Sequence, residues 1–219
     1  MSTIKTEPYL HQKDRWLQRG RVILAQYDAD SIVVYQAYRP AIGDFAAQQG
    51  YFGGEFKLSR MTWIKPNFLW MMYRSGWGAK QGQEVILAIR LHRAAFDSIL
   101  AQAVHSSFQS GLYESQESWQ KAVQTSDVRL QWDPDHHPGG NKLERRAIQL
   151  GLRGEAIRCY AQEWIIDIED ISDFVAEQRQ HVVSGNYEAL LTPAESPYPV
   201  QDLETANRLQ VPQIFPTSC

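Results

Sequence analysis

The chain has 219 residues, of which 43% are apolar, and a formal net charge of −3, which suits one large domain with a core of its own. It contains no run of about eighteen apolar residues and starts with the polar stretch MSTIKTEPYLHQKDRW; this argues against a membrane span or signal peptide and predicts a cytoplasmic protein. The only cysteines are Cys159 and Cys219, which excludes a disulfide framework and a cysteine-rich zinc site.

In chain order, RVILAQY (21–27) and SIVVYQAY (31–38) are rich in β-branched and aromatic residues and flank Asp28-Ala29-Asp30, the pattern of a hairpin. Pro40 starts a helix with Ile42, Phe45 and Ala46 at helical spacing, and Gly50 stops it. Pro66 suits the first turn of a helix over NFLWMMYR that ends at Ser75-Gly76. EVILAIRLH reads as a buried strand and AAFDSILAQAV as a helix, followed by the strand SDVRLQWD and the loop PDHHPGGN. AIQLGL and IIDIED read as strands, EAIRCYAQEW as helix or strand, and SDFVAEQRQHV as a helix. The expected class is α+β, a single domain over 21–190 with a largely antiparallel, mixed sheet. An N-terminal segment, 1–20, precedes it, and an extended proline-rich tail, 191–219, follows, either wrapping the domain or staying mobile.

Charge divides unevenly along the chain. Between Arg60 and Arg93 six basic residues face one acid, a net +5, whereas between Ala161 and Glu204 ten acids face Arg179 alone, a net −9. The basic block contains RMTWIKPNFLWMMYRSGWG (60–78), with Trp63, Trp70 and Trp77 seven residues apart and Arg60, Lys65 and Arg74 between them. Pro66 and Gly76 keep the helix under three turns, so the spacing is not a coiled coil. Two readings stay open: a core whose cations snorkel or pair with acids, or an anion site in which guanidinium forks grip oxyanions beside aromatic rings. A helix start beyond Lys65 would add free amides to the second.

Two further stretches carry candidate chemistry. In VYQAYR (34–39), alternation puts Tyr35 and Ala37 on one face of a strand and Gln36 and Tyr38 on the other. In RLQWDPD (129–135), Asp133 precedes Pro134 at a strand end, a common turn and also a place where carboxylates act. The chain has no phosphate loop with its lysine, no GxGxxG, no GxSxG and no HExxH. His136-His137 with Asp133 or Asp135 is a poor metal set, since adjacent histidines point apart; a surface loop is the better reading. The acids Asp167, Glu169, Asp170 and Asp173 read better as a solvated edge than as a magnesium site. No metal site is predicted.

RVILAQY, VYQAY, RMTWIKPNFLWMMYRSGWG, VRLQWDP and AIQLGL, in this order, resemble the family grouped as domain of unknown function 4291, over roughly Arg21 to Ser172. One departure is Asp135-His136-His137 after Asp133-Pro134, where that family pattern leads one to expect an acidic-basic pair. More distantly, VYQAYRPAIGDFAAQQGYF is similar to the opening of ADP-ribosyltransferase-like folds, with Gln36 where those carry a histidine or arginine after tyrosine. That resemblance implies that Tyr35, Gln36 and Tyr38 line an NAD or nucleotide cleft, with Gln36 a catalytic candidate beside Asp133. It further implies that Trp63 and Trp70 stack on the ligand, and that Arg60, Lys65 and Arg74 meet its pyrophosphate. Asp133 is then the carboxylate to orient a ribose hydroxyl or stabilise an oxocarbenium-like transition state.

Three functions follow from these residues. The first is an enzyme acting on NAD or another nucleotide, an ADP-ribosyl transferase or NAD hydrolase, in which cations and aromatics converge on a cleft with a carboxylate. The second is a module for RNA or single-stranded DNA, with the same residues spread over an open face. The third is a partner-binding protein with buried tryptophans and an acidic contact surface. Cations spaced among aromatics, and an acidic chain overall, favour the first.

Overall fold

The computed structural model describes residues 4–212. The elements, in chain order, are β1 (Thr6–Pro8), α1 (Tyr9–Lys13), β2 (Gly20–Arg21), β3 (Leu24–Ala25), β4 (Ser31–Tyr38), α2 (Pro40–Gln49) and β5 (Thr62–Ile64). Then come α3 (Phe68–Ser75), β6 (Val85–His92), α4 (Arg93–Gln102), β7 (Val104–His105), α5 (Gln116–Thr125), β8 (Val128–His136) and β9 (Lys142–Leu152). The last are α6 (Gly154–Gln162), β10 (Ile165–Asp170), α7 (Ser172–Ser184), β11 (Leu191–Pro193), β12 (Ser196–Pro197) and α8 (Leu203–Leu209).

The domain is α+β, as the sequence suggests. β4, β6 and β10 form one antiparallel sheet in the order β10-β6-β4. β7, β8 and β9 form a second, with β2 and β5 both paired along the other edge of β9. That second sheet is mixed, since β2–β9 and β7–β8 are parallel while β8–β9 and β5–β9 are antiparallel. The two sheets join where Tyr35 of β4 donates to the Lys65 carbonyl at 2.7 Å and accepts from the Lys65 amide at 3.3 Å.

Side chains on both faces of β4 and β6 are covered, which explains their continuous apolar runs. Ile32, Val34, Leu87 and Ile89 pack in one cluster with Ile64, Ile148 and Leu150 of the other sheet. Val33, Tyr35, Ile86 and Ala88 pack in a second cluster with Phe68, Leu69 and Met72 of α3. α2 and α3 run as their signals indicate. Pro40 opens α2, and Gly50 and Gly76 close the two helices at φ 75° and 61°, where only glycine is unstrained. Asn67 rather than Pro66 begins α3, its side chain accepting from the Trp70 amide at 2.6 Å.

Two local expectations change and a third is narrowed. RVILAQY is not one hairpin strand: the turn at Asp28 forms, but β2 goes to β9 and β3 to β12, with only an isolated Tyr27–Ile32 bridge back to β4. β8 runs on to His136, so the loop predicted at Pro134 contracts to the residues between it and β9. For the tail, one of the two alternatives is selected: its described part wraps the domain. β11 pairs with β1 and β12 with β3, while α8 buries Ala206 and Leu209. Pro216 and Cys219 lie outside the described residues.

Candidate functional site

β5 is only three residues long, yet it sets the site. Trp63 lies opposite Gly151 of β9, and a side-chain carbon at position 151 would stand 2.7 Å from Met61 Sδ and 3.0 Å from the Trp63 ring. Glycine therefore lets the indole lie against the sheet. Immediately after β5 the chain must leave the sheet for α3, and Lys65 falls at that corner, held by its backbone bonds to Tyr35. The result is a cavity of about 450 Å³ where the two sheets meet. Gln36 and Tyr38 close one side, Trp63 and Lys65 another, Arg74 of α3 stands at the rim, and Gln131 and Gln149 form the polar floor.

Hydrogen bonds fix the wall. The Tyr160 hydroxyl donates to Gln36 Oε1 at 2.5 Å, so the Gln36 amide nitrogen must be the donor toward Tyr38 Oη (2.8 Å), Thr62 Oγ1 (2.7 Å) and the Trp63 carbonyl (3.1 Å). Tyr38 and Thr62 also share one hydrogen bond of 2.6 Å between their hydroxyls. Only one of those two hydroxyl protons is used in that bond, so the other remains as a donor for whatever enters. Gln36, 3% exposed, is thus the hub that orients Tyr38 and Thr62. Burial, partly offset by the bonds from Thr62 and Gln36, raises the Tyr38 phenol well above its ordinary range, so it stays protonated.

The floor is organised by Asp133. Gln131 Nε2 donates to its Oδ1 at 2.9 Å and Gln149 Nε2 to its Oδ2 at 2.6 Å, the two glutamines being direct cross-strand partners. Lys65 is the unusual member. It is 5% exposed and lines the cavity, and its ammonium has no hydrogen-bond or ion-pair partner among the described residues. Burial, with the nearby Arg74 charge, lowers its pKa to about 8 against a smaller opposing pull from Asp133.

A second cavity of about 390 Å³ adjoins the first and shares Tyr38, Met61 and Thr62 with it. Arg39, Lys57 and Arg60 line this outer part, together with Glu55, which pairs with Arg39. The connected groove is therefore cationic at both ends, with the Tyr38–Thr62 hydroxyl pair between.

Among the nine candidate residues, the structure gathers Gln36, Tyr38, Trp63, Lys65 and Arg74 around the inner cavity and Arg60 around the outer one. Asp133 lies behind the floor, acting through its two glutamines. Tyr35 and Trp70 are not brought in. The Tyr35 ring is buried on the opposite face of β4, edge-on to Phe68 at 5.4 Å, because alternation separates it from Gln36. Trp70 stacks on Tyr73 and on His136 at centroid distances of 5.5 and 5.3 Å. Trp77 packs against Phe68 and donates from Nε1 to the Pro138 carbonyl. The tryptophan block is thus split, with Trp70 and Trp77 in packing roles and Trp63 on the cavity wall.

The free helix start expected beyond Lys65 is already filled. Glu195, 3% exposed, accepts from the Phe68 amide at 2.6 Å and approaches Asn67 Nδ2 at 3.4 Å, while burial drives its pKa well up. His136 is enclosed in its ring stack and His137 packs on Tyr9 and Tyr187. Among the described residues no group of three His, Cys, Asp or Glu is arranged to hold a metal ion. Nor is any helix there long and apolar enough to cross a membrane. The sequence reading missed Thr62, Gln131, Gln149 and Glu195. The alternation of Arg129, Gln131 and Asp133 marked Gln131 as sharing a face with Asp133, but nothing in the chain order linked Gln149 or Glu195 to the site.

The structure thus defines a class: a single α+β domain whose two sheets meet over a cationic, amide-floored groove. The chain belongs to the DUF4291 family, Domain of unknown function, whose sequence pattern matches residues 22–198. The match takes in every groove residue named above and Glu195. No curated protein matches the chain.

Proposed function

We propose that the groove binds a nucleotide through its pyrophosphate, with NAD or ADP-ribose as the ligand class, and that the protein is an ADP-ribosyltransferase-like enzyme. The observation that carries this reading is Lys65, a buried cation lining the cavity, with no hydrogen-bond or ion-pair partner among the described residues and only the weaker pull of Asp133 to offset its burial. Desolvating an ammonium without a partner is unfavourable; an entering oxyanion removes that penalty and gains a strong charge-assisted bond. Arg74 adds a fork at the rim, the spare hydroxyl proton of the Tyr38–Thr62 pair a neutral donor, and Trp63 an aromatic face.

Hydrolysis is the simplest reaction of the class. Water adds to the anomeric carbon as the bond to nicotinamide breaks, giving ADP-ribose, nicotinamide and a proton. Positive charge develops on the ribose in the transition state, and Asp133 supplies the nearby negative charge while holding Gln131 and Gln149 in place. The exposed Lys57 and Arg60 of the outer cavity favour one alternative, a single-stranded nucleic acid lying along the groove.

Thermal unfolding against NAD, ADP-ribose, ATP, a short RNA and a short single-stranded DNA separates these readings. The expected result is a rise in midpoint with NAD or ADP-ribose that Lys65→Met and Arg74→Ala reduce, and nicotinamide release from NAD that Asp133→Asn abolishes. A rise with RNA alone, weakening steeply with salt, assigns the groove to nucleic acid. No rise with any of the five overturns both.

A further inference from the structure

Along the β8–β9 sheet lies a further pocket of about 270 Å³, lined by Arg21, His105, Ser106, Ser107, Trp132 and Arg146 and sharing Gln131 with the groove. Apart from Gln131, strand alternation divides the two linings. Asp133 and Gln149 share the strand face of the groove, whereas Leu130, Trp132 and Arg146, the last registered opposite Pro134, belong to the other face. None of the described residues lining this pocket is an acid.

His105 is the informative residue. It is 3% exposed, and its Nε2 has no hydrogen-bond partner among the described residues. The tautomer follows from the other side of the ring. Tyr113 Oη accepts from the His105 backbone amide at 3.1 Å and lies 3.2 Å from Nδ1. The phenol has no other acceptor among the described residues, so its proton goes to Nδ1, which leaves the remaining ring proton on Nε2. A buried N–H donor without an acceptor is rare and unfavourable.

The two arginines point the same way. Arg146 is exposed and has no ion-pair partner among the described residues. Arg21 lies 5.9 Å from the Trp132 ring centroid and hydrogen-bonds Gln210. Their like charges act on one another, since Arg146 helps lower the pKa of Arg21 after burial. An anion between them relieves that repulsion, accepts from His105 Nε2, and meets the Ser106 and Ser107 hydroxyls.

We propose that this pocket is a second ligand site, for a tetrahedral phosphate, either inorganic phosphate or the phosphate end of a small phosphomonoester. Burial and the charges of Arg21 and Arg208 push the His105 imidazole down to about 4, so it stays a neutral donor through the physiological range. The pocket therefore recognises the anion by fixed guanidinium charges and a neutral N–H.

The test follows the His105 Nε2–H resonance in chain labelled with ¹⁵N-histidine, titrated with inorganic phosphate and with ribose 5-phosphate at matched ionic strength. A saturable shift is expected, with Arg146→Gln raising Kd at least about tenfold for the loss of one charge-assisted fork and Lys65→Met leaving it unchanged. Arg146 is exposed, so that variant keeps its unfolding midpoint within about 2 °C. Equal affinities for the two probes assign the pocket to phosphate itself, and tighter binding of ribose 5-phosphate assigns it to the ester. The proposal is overturned if neither probe gives a saturable shift, if Arg146→Gln leaves the shift intact, or if Lys65→Met removes it.

Discussion

Lys65 and Glu195 stand on either side of the start of α3, and both are almost fully buried. Glu195 is satisfied by the chain: the Phe68 amide donates to it, Asn67 approaches it, and the Trp16 indole donates to its carbonyl at 2.9 Å. The Lys65 ammonium has no hydrogen-bond or ion-pair partner among the described residues and opens onto a cavity. The contrast separates a polar group that builds the fold from one that the fold holds ready. A buried ionisable group with its own partners reports on architecture, whereas one left open toward a cavity reports on a ligand.

The largest effect should come from breaking the satisfied side. Glu195→Leu strands the Phe68 amide and removes the carboxyl that joins the tail to α3, and should destabilise by about 3 kcal/mol. Glu195→Gln keeps the acceptor and should cost less than about 1 kcal/mol by denaturant unfolding. Equal losses in the two would mean that Glu195 acts through its charge and not as an acceptor.

On the open side the sign reverses. Lys65→Met should raise stability at pH 7 by about 3 kcal/mol, from a pKa lowered to about 8, while abolishing ADP-ribose binding. The pH dependence fixes the cause. Below pH 8 the lysine is charged in both states and the full penalty is present. Above it the unfolded chain binds the additional proton, so wild-type stability should rise between about pH 8 and 10.5. That slope should vanish in Lys65→Met.

Smaller effects test the walls. Gly151→Ala should displace Met61 and Trp63, costing about 1 kcal/mol and weakening ligand binding with the cations intact. Arg74→Ala, at an exposed rim position, should change stability by no more than about 0.5 kcal/mol. Its loss of nucleotide affinity should be about tenfold or more. A large loss of stability in Arg74→Ala would return that residue to the core.

Much of this architecture is legible locally. Pro40, Gly50 and Gly76 bound helices by backbone conformation alone, and the apolar runs of β4 and β6 announce strands covered on both faces. The strand partners of RVILAQY are not legible, because β2 and β3 are two residues each and depend on β9 and β12, more than a hundred residues away. The site shows the same boundary. Alternation separates Tyr35 from Gln36, yet only the fold shows that Tyr35 turns into the α3 core while Gln36 becomes the hub of the wall. The tryptophan heptad spacing is a coincidence of three elements. Trp63 comes from β5, Trp70 from α3 and Trp77 from the turn after it, each with its own neighbours.

The most direct measurement is the titration of the Lys65 ammonium by NMR, with and without ADP-ribose. The account predicts a pKa near 8 in the free protein that rises by about a unit or more when the pyrophosphate binds, since the anion favours the charged form. A free value near 10.5, or one that ADP-ribose leaves unmoved, would contradict it.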